Sequence, residues 1–118
     1  MSKITIWHNP RCGKSRDGVK TVQECGYESD IVKYLDEKPS VAQLKELLKM
    51  LGFKSAREWM RTKEAIYKEL DLKNETDEEK LIEAMVEHPK LIERPVIIKD
   101  NKAIIGRPNS IIEEFLKA

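Results

Sequence analysis

Apolar positions along the chain switch between two periods, and the switches outline the elements. Ile4, Thr5, Ile6 and Trp7 form a short apolar run that predicts a buried strand over residues 3–7. Residues 13–25 take up helical spacing, with Val19 and Val22 on an inner face and Gly26 as the stop. Asp30 to Leu35 returns to a strand pattern, two β-branched residues followed by alternation. Strand, helix and strand within about thirty-five residues make a βαβ unit, so the first two strands are expected to be parallel.

The middle of the chain is helical throughout. Pro39-Ser40 opens a segment carrying Val41, Leu44, Leu47, Leu48 and Leu51 at helical spacing, closed by Gly52. Ser55 is placed to cap a short helix through Arg61, and further turns are expected between Thr62 and Leu70. Thr76-Asp77-Glu78-Glu79 has the form of a capping box, opening a helix with Leu81, Ile82, Met85 and Val86 inward and His88-Pro89 at its end.

The period then shortens again. Pro95-Val96-Ile97-Ile98 and Ala103-Ile104-Ile105 flank Lys99-Asp100-Asn101-Lys102, which predicts a hairpin with turn residues at its centre. Arg107-Pro108-Asn109 leads into a last helix with Ile111, Ile112, Phe115 and Leu116 on its inner face. The order βαβ, helical block, ββα resembles a thioredoxin-like fold: α/β, with a mixed sheet. The expected organisation is a single domain over 1–118 with a helical insertion at about 40–88. In that fold a cysteine after the first strand faces a proline that opens the third. Pro95 stands at that position, where the resemblance implies a cis Arg94–Pro95 bond; a plain proline at the start of a strand is the alternative.

Composition narrows the function. A net charge of +1 gives no electrostatic case for nucleic acid or a membrane surface as partner. Charged residues make up 36% of the chain with both signs interleaved, as on solvated helix faces. The two cysteines, Cys12 and Cys25, make neither a disulfide framework nor a zinc site, and they fit a reducing compartment. Met1-Ser2-Lys3 leads into only four strand-like residues, so no signal peptide is expected. No run approaches the ~20 apolar residues of a transmembrane helix. A cytoplasmic protein is the expectation, with no bound cofactor and no metal.

The stretch Trp7-His8-Asn9-Pro10-Arg11-Cys12-Gly13-Lys14-Ser15-Arg16 holds the candidate chemistry. Cys12 falls in the turn between strand and helix, where unpaired N–H groups and the helix dipole favour a thiolate and an oxyanion beside it. Three motifs are excluded. Gly13-Lys14-Ser15 imitates the end of a P-loop, but His8 replaces the glycine that motif requires. A phosphatase loop needs arginine where Gly18 stands. A Cys-x-x-Cys switch needs cysteine at Ser15. A single reactive cysteine is left. Arg11 and Arg16 add positive charge, and Ser15 is placed to donate to the sulfur or to an oxyanion. His8 is either a structural hydrogen-bonding group or a catalytic neighbour that favours the thiolate when charged.

From Ile4 to about Phe115 the chain resembles the ArsC family of arsenate reductases, the glutaredoxin-dependent class. The resemblance rests on the loop from His8 to Arg16, on Trp59-Met60-Arg61, on Glu87-His88-Pro89 followed by Leu91-Ile92-Glu93-Arg94-Pro95, and on Gly106-Arg107-Pro108. It implies Cys12 as nucleophile, His8 tuning the thiol with Ser15 in support, and Arg61, Arg94 and Arg107 as the oxyanion-binding trio. Guanidinium groups suit a tetrahedral oxyanion because they bind its oxygens bidentately.

The implied reaction reduces arsenate to arsenite, a step in arsenical resistance. Glutathione serves as co-substrate and glutaredoxin as partner, an external thiol in place of a resolving cysteine. Cys25, at the far end of the first helix, is read as a packing residue. The chain is similar to a shorter branch of the family that lacks a C-terminal extension. Two other functions fit the same residues: a glutathione-linked thiol oxidoreductase with a different substrate, and a redox-responsive transcriptional regulator similar to the Spx proteins. Ser15 at the second switch position counts against the regulator.

Overall fold

The computed structural model of the protein describes residues 4–106 and 110–117. Strands and helices follow in the order β1 (Ile4–Trp7), α1 (Gly13–Glu24), β2 (Ser29–Val32), α2 (Tyr34–Glu37), α3 (Val41–Leu51), α4 (Ala65–Glu69), α5 (Glu78–Glu87), β3 (Val96–Lys99), β4 (Lys102–Ile105) and α6 (Ser110–Lys117). Short 3-10 turns lie at Ala56–Trp59, Leu72–Asn74 and Pro89–Leu91. The chain divides into two units, one built from its two ends up to Glu37 and from Arg94 onward, the other from Lys38–Glu93.

The first unit holds a mixed sheet in the order β2-β1-β3-β4, the thioredoxin-like arrangement. β1 runs parallel to β2 and antiparallel to β3, and β3 and β4 form the hairpin. Because side chains alternate across a strand, Ile4, Ile6, Ile97 and Ile104 share one face. Val22 of α1 and Ile112 and Leu116 of α6 close over that face to make the core. Burying each such aliphatic side chain contributes roughly 1.5–3 kcal/mol. α1 ends in a Schellman motif, with the Tyr27 N–H donating to the Val22 carbonyl at 3.4 Å and the Gly26 N–H to Gln23 at 3.0 Å. That geometry needs the left-handed backbone Gly26 supplies at φ 86°.

Two expectations for this unit shift. β2 stops at Val32 and does not continue to Leu35. The Glu37 carboxylate accepts from the Lys33 N–H at 2.8 Å, turning the chain into α2, and buried Tyr34 stacks on Trp7 at 5.9 Å. Tyr34 thus obtains its burial from a turn, which a strand pattern cannot distinguish. The hairpin turn is also tighter than expected. Lys99 pairs with Lys102, leaving only Asp100 and Asn101 in the turn, at φ 50° and 65°. Two successive left-handed residues make a type I′ turn, whose twist matches the strands.

The second unit is helical. Ser40 and Gln43 form the capping box of α3, Gln43 donating to the Ser40 hydroxyl at 3.2 Å and accepting from the Ser40 N–H at 2.9 Å. The helix expected from Ser55 to Arg61 is a 3-10 turn that ends at Trp59. Beyond it the chain is extended: Met60 bridges antiparallel to Ile92, the Arg61 N–H donates to Leu91 at 2.7 Å and the Glu93 N–H to Trp59 at 3.1 Å. The cap of α5 is Asp77, one residue later than expected, accepting from the Glu79 N–H at 3.0 Å. Glu78 instead reaches the Ser55 hydroxyl and the Ala56 N–H, both at 2.8 Å.

Candidate active site

Register puts the sequence-predicted loop at one end of the sheet. Trp7 pairs with Val32 and with Val96, and Val96 with Ile105. The residues just beyond β1 and β2 and just before β3 therefore meet: the His8–Cys12 loop, Lys33 and Arg94-Pro95. Gly106 completes this end, its N–H donating to the Pro95 carbonyl at 2.8 Å. The Arg94–Pro95 bond is cis.

Cys12 is the N-cap of α1, extended at φ −96° and ψ 121°, and half-buried. The first turn of any helix leaves N–H groups without intrahelical partners, so this sulfur sits beside donors suited to negative charge. Asn9 shapes the loop that delivers it. Its carbonyl accepts from the Cys12 N–H at 3.0 Å and its side-chain oxygen from the Arg11 N–H at 3.1 Å. Arg16 folds back to donate to the Pro10 carbonyl at 2.9 Å. Asn9 has no role that periodicity or motif spacing marks; an asparagine directly before a proline, a residue pair that favours an Asx turn, is the signal for it.

Ser15 is fully buried and ties the loop to the helix. Its hydroxyl accepts from the Asn9 N–H at 3.0 Å and lies 2.7 Å from Nδ1 of His8. Burial holds the His8 pKa below its ordinary 6.5, and the Lys33 ammonium and Arg16 guanidinium push the same way; a hydrogen bond to the Ser15 backbone works against them. The imidazole is therefore neutral near pH 7. That favours a hydrogen-bonding and proton-accepting group over the cation that one sequence reading invoked.

The three arginines stand differently. Arg94 is half-buried at the loop end of the sheet, directly before Pro95. Arg61 belongs to the helical unit, where its Nη1 lies 3.4 Å from Glu64 and its Nε 3.6 Å from Glu93. Arg107 lies outside the described residues. Cys25 packs against the core cluster at the far end of α1. Among the described residues no three His, Cys, Asp or Glu side chains group as a metal site would require. No helix among them is long and apolar enough to cross a membrane.

Known proteins match this chain over nearly its whole length. Residues 7–115 match the ArsC family. An uncharacterized protein of Escherichia coli (strain K12), YfgD, is 48% identical over 97% of this chain and 97% of its own. An arsenate reductase of Neisseria meningitidis serogroup A is 44% identical over 98% of this chain and 100% of its own. The solved structure of an arsenate reductase from Vibrio cholerae superposes with a TM-score of 0.93 at 41% identity, covering 96% of this chain and 97% of that one. With the cysteine loop and the sheet order in place along the same span, the chain belongs to the ArsC family.

Proposed function

We propose that this protein reduces arsenate to arsenite through Cys12, with glutathione and glutaredoxin as reductant. The observation that carries the reading is Cys12 at the N-cap of α1, in a loop held by Asn9 and Ser15, with the Ser15 hydroxyl 2.7 Å from Nδ1 of His8. Relatives named arsenate reductase at 44% identity support the substrate.

Each step balances. The Cys12 sulfur bonds to arsenic, water leaves, and Arg61, Arg94 and Arg107 hold the charged oxygens. Glutathione sulfur then attacks Sγ of Cys12. The sulfur–sulfur bond forms, the sulfur–arsenic pair passes to arsenic, and the thiol proton passes to the oxyanion. Arsenic(V) becomes arsenic(III), and the two thiols become one mixed disulfide. Glutaredoxin removes the glutathionyl group by thiol–disulfide exchange, restoring Cys12.

The test is arsenate-dependent NADPH oxidation with glutathione, glutaredoxin and glutathione reductase. Wild type is expected to turn over and Cys12→Ser to show none. No arsenate-dependent turnover by wild type overturns the reading.

A further inference from the structure

Beside the Cys12 loop lies a cleft of about 230 Å³, walled by His8, Asn9 and Arg11 on one side and Lys33, Leu35 and Asp36 on the other. That is room for an amino-acid head group. Arg11, Lys33 and Asp36 are exposed, and among the described residues none of these three side chains is in an ion pair. Their backbone is held in place. Lys33 donates its N–H to Glu37, Asp36 donates its N–H to Lys33, and Arg11 donates its N–H to Asn9. The Lys33 ammonium also acts on His8, which places its charge at the loop.

Two cations, one anion and the apolar Leu35 complement a carboxylate and an ammonium carried on one carbon. A simple oxyanion has no use for Asp36 and is repelled by it, so the cleft is poorly suited to a second arsenate. Its position suits a co-substrate, because Arg11 directly precedes Cys12, about 3.8 Å away between Cα atoms. A γ-glutamylcysteine unit spans roughly 7 Å, the reach of two extended residues.

We infer that this cleft seats the γ-glutamyl end of glutathione, the α-carboxylate on Lys33 and Arg11 and the α-ammonium on Asp36, with the thiol turned toward Cys12. The inference rests on glutathione being the reductant, as proposed above. It adds a specificity device: the cleft selects a γ-glutamyl thiol over a thiol without that head.

Mixed-disulfide formation without arsenate tests it. Cys12 attacks glutathione disulfide, forming the Cys12–glutathione bond and releasing glutathione thiolate. The rate is followed by mass spectrometry of the Cys12 peptide and compared with that for the disulfide of cysteinylglycine, which lacks the γ-glutamyl group. Wild type is expected to favour glutathione disulfide by about tenfold, the scale of one charge-assisted hydrogen bond. Lys33→Ala and Asp36→Asn are each expected to remove most of that preference. Asp36→Asn is decisive, because general attraction for anionic glutathione would rise when a carboxylate is removed, whereas a seat for its ammonium would be lost. Equal rates for the two disulfides in wild type, or an undiminished preference in Asp36→Asn, overturns the inference. If the preference holds and disappears in both variants while arsenate turnover is absent, the subsite stands and the reductase reading falls.

Discussion

A β-carbon added to Gly18 would stand 2.7 Å from Cγ of Pro95. The same ring atom meets Gly106, where an added β-carbon would lie 3.0 Å from Pro95 Cγ and 3.0 Å from Ile112 Cδ1. Two glycines thus make the space that lets α1 and the end of β4 close around Pro95. In an exposed helix Gly→Ala gains about 1 kcal/mol. At Gly18 the added methyl meets a rigid ring, and overpacking of this kind costs typically about 1–3 kcal/mol. Gly18→Ala is expected to lower the urea midpoint; a midpoint raised by the helix gain would contradict the packing role.

Gly18 marks the boundary of what the sequence makes legible. Periodicity places the strands, α1, α3 and α5, because each turns an apolar stripe inward whatever it packs against. It places Cys12 because the helix start follows from local spacing. Gly18 enters sequence reasoning only as the wrong residue for a phosphatase loop, since its role depends on a proline 77 positions away in the chain. The same holds for Lys33 and Asp36, which the parallel pairing of β1 and β2 brings beside the loop. Arg61 is marked by family resemblance alone, and its carboxylate neighbour Glu93 arrives through a bridge between Met60 and Ile92 that no local pattern announces.

Ser15 is expected to matter for stability as well as for chemistry. Its buried hydroxyl serves both the Asn9 N–H and His8 Nδ1, so Ser15→Ala leaves two polar groups short of a partner. An unsatisfied buried polar group costs about 1–3 kcal/mol. Chemical denaturation of Ser15→Ala is expected to show a loss in that range. A loss within measurement error would mean that water replaces the hydroxyl at no cost.

His8 makes stability depend on pH in a defined direction. Its folded pKa is below 6.5, lowered by burial first and by Lys33 and Arg16 next. On acidification the unfolded chain takes up the proton first. The stabilisation from His8 is therefore complete above about pH 6.5 and is lost as pH falls through the folded pKa. Wild type is expected to lose more stability than His8→Gln between about pH 7.5 and 5. Equal losses would show that His8 is not the group responsible.

Cys12 and Cys25 lie at opposite ends of α1, whose 12 residues separate them. Thirteen steps at 1.5 Å each make about 20 Å, far beyond the ~7 Å limit between disulfide-bonded Cα atoms. Pairing them would require α1 to unwind. Cys25→Ser is expected to keep most arsenate turnover, with any penalty appearing in stability through its packing on the core. A loss of turnover as deep as that of Cys12→Ser would replace the single-cysteine cycle with a two-cysteine one.

Arg61, proposed above to hold the oxyanion, would have to leave two carboxylates to do so. Glu64 and Glu93 approach its guanidinium at 3.4 Å and 3.6 Å, and all three side chains are partly exposed. Partly exposed pairs of this length are worth at most about 1 kcal/mol, so they hold Arg61 loosely enough for an oxyanion to displace them. Removing the guanidinium and removing a competing carboxylate should therefore move arsenate binding in opposite directions. Arg61→Ala is expected to raise the KM for arsenate. Glu93→Gln is expected to lower it, by no more than about fivefold if the whole pair energy is released. A KM raised by both substitutions would identify Glu93 as the group that positions Arg61 and would overturn the competition.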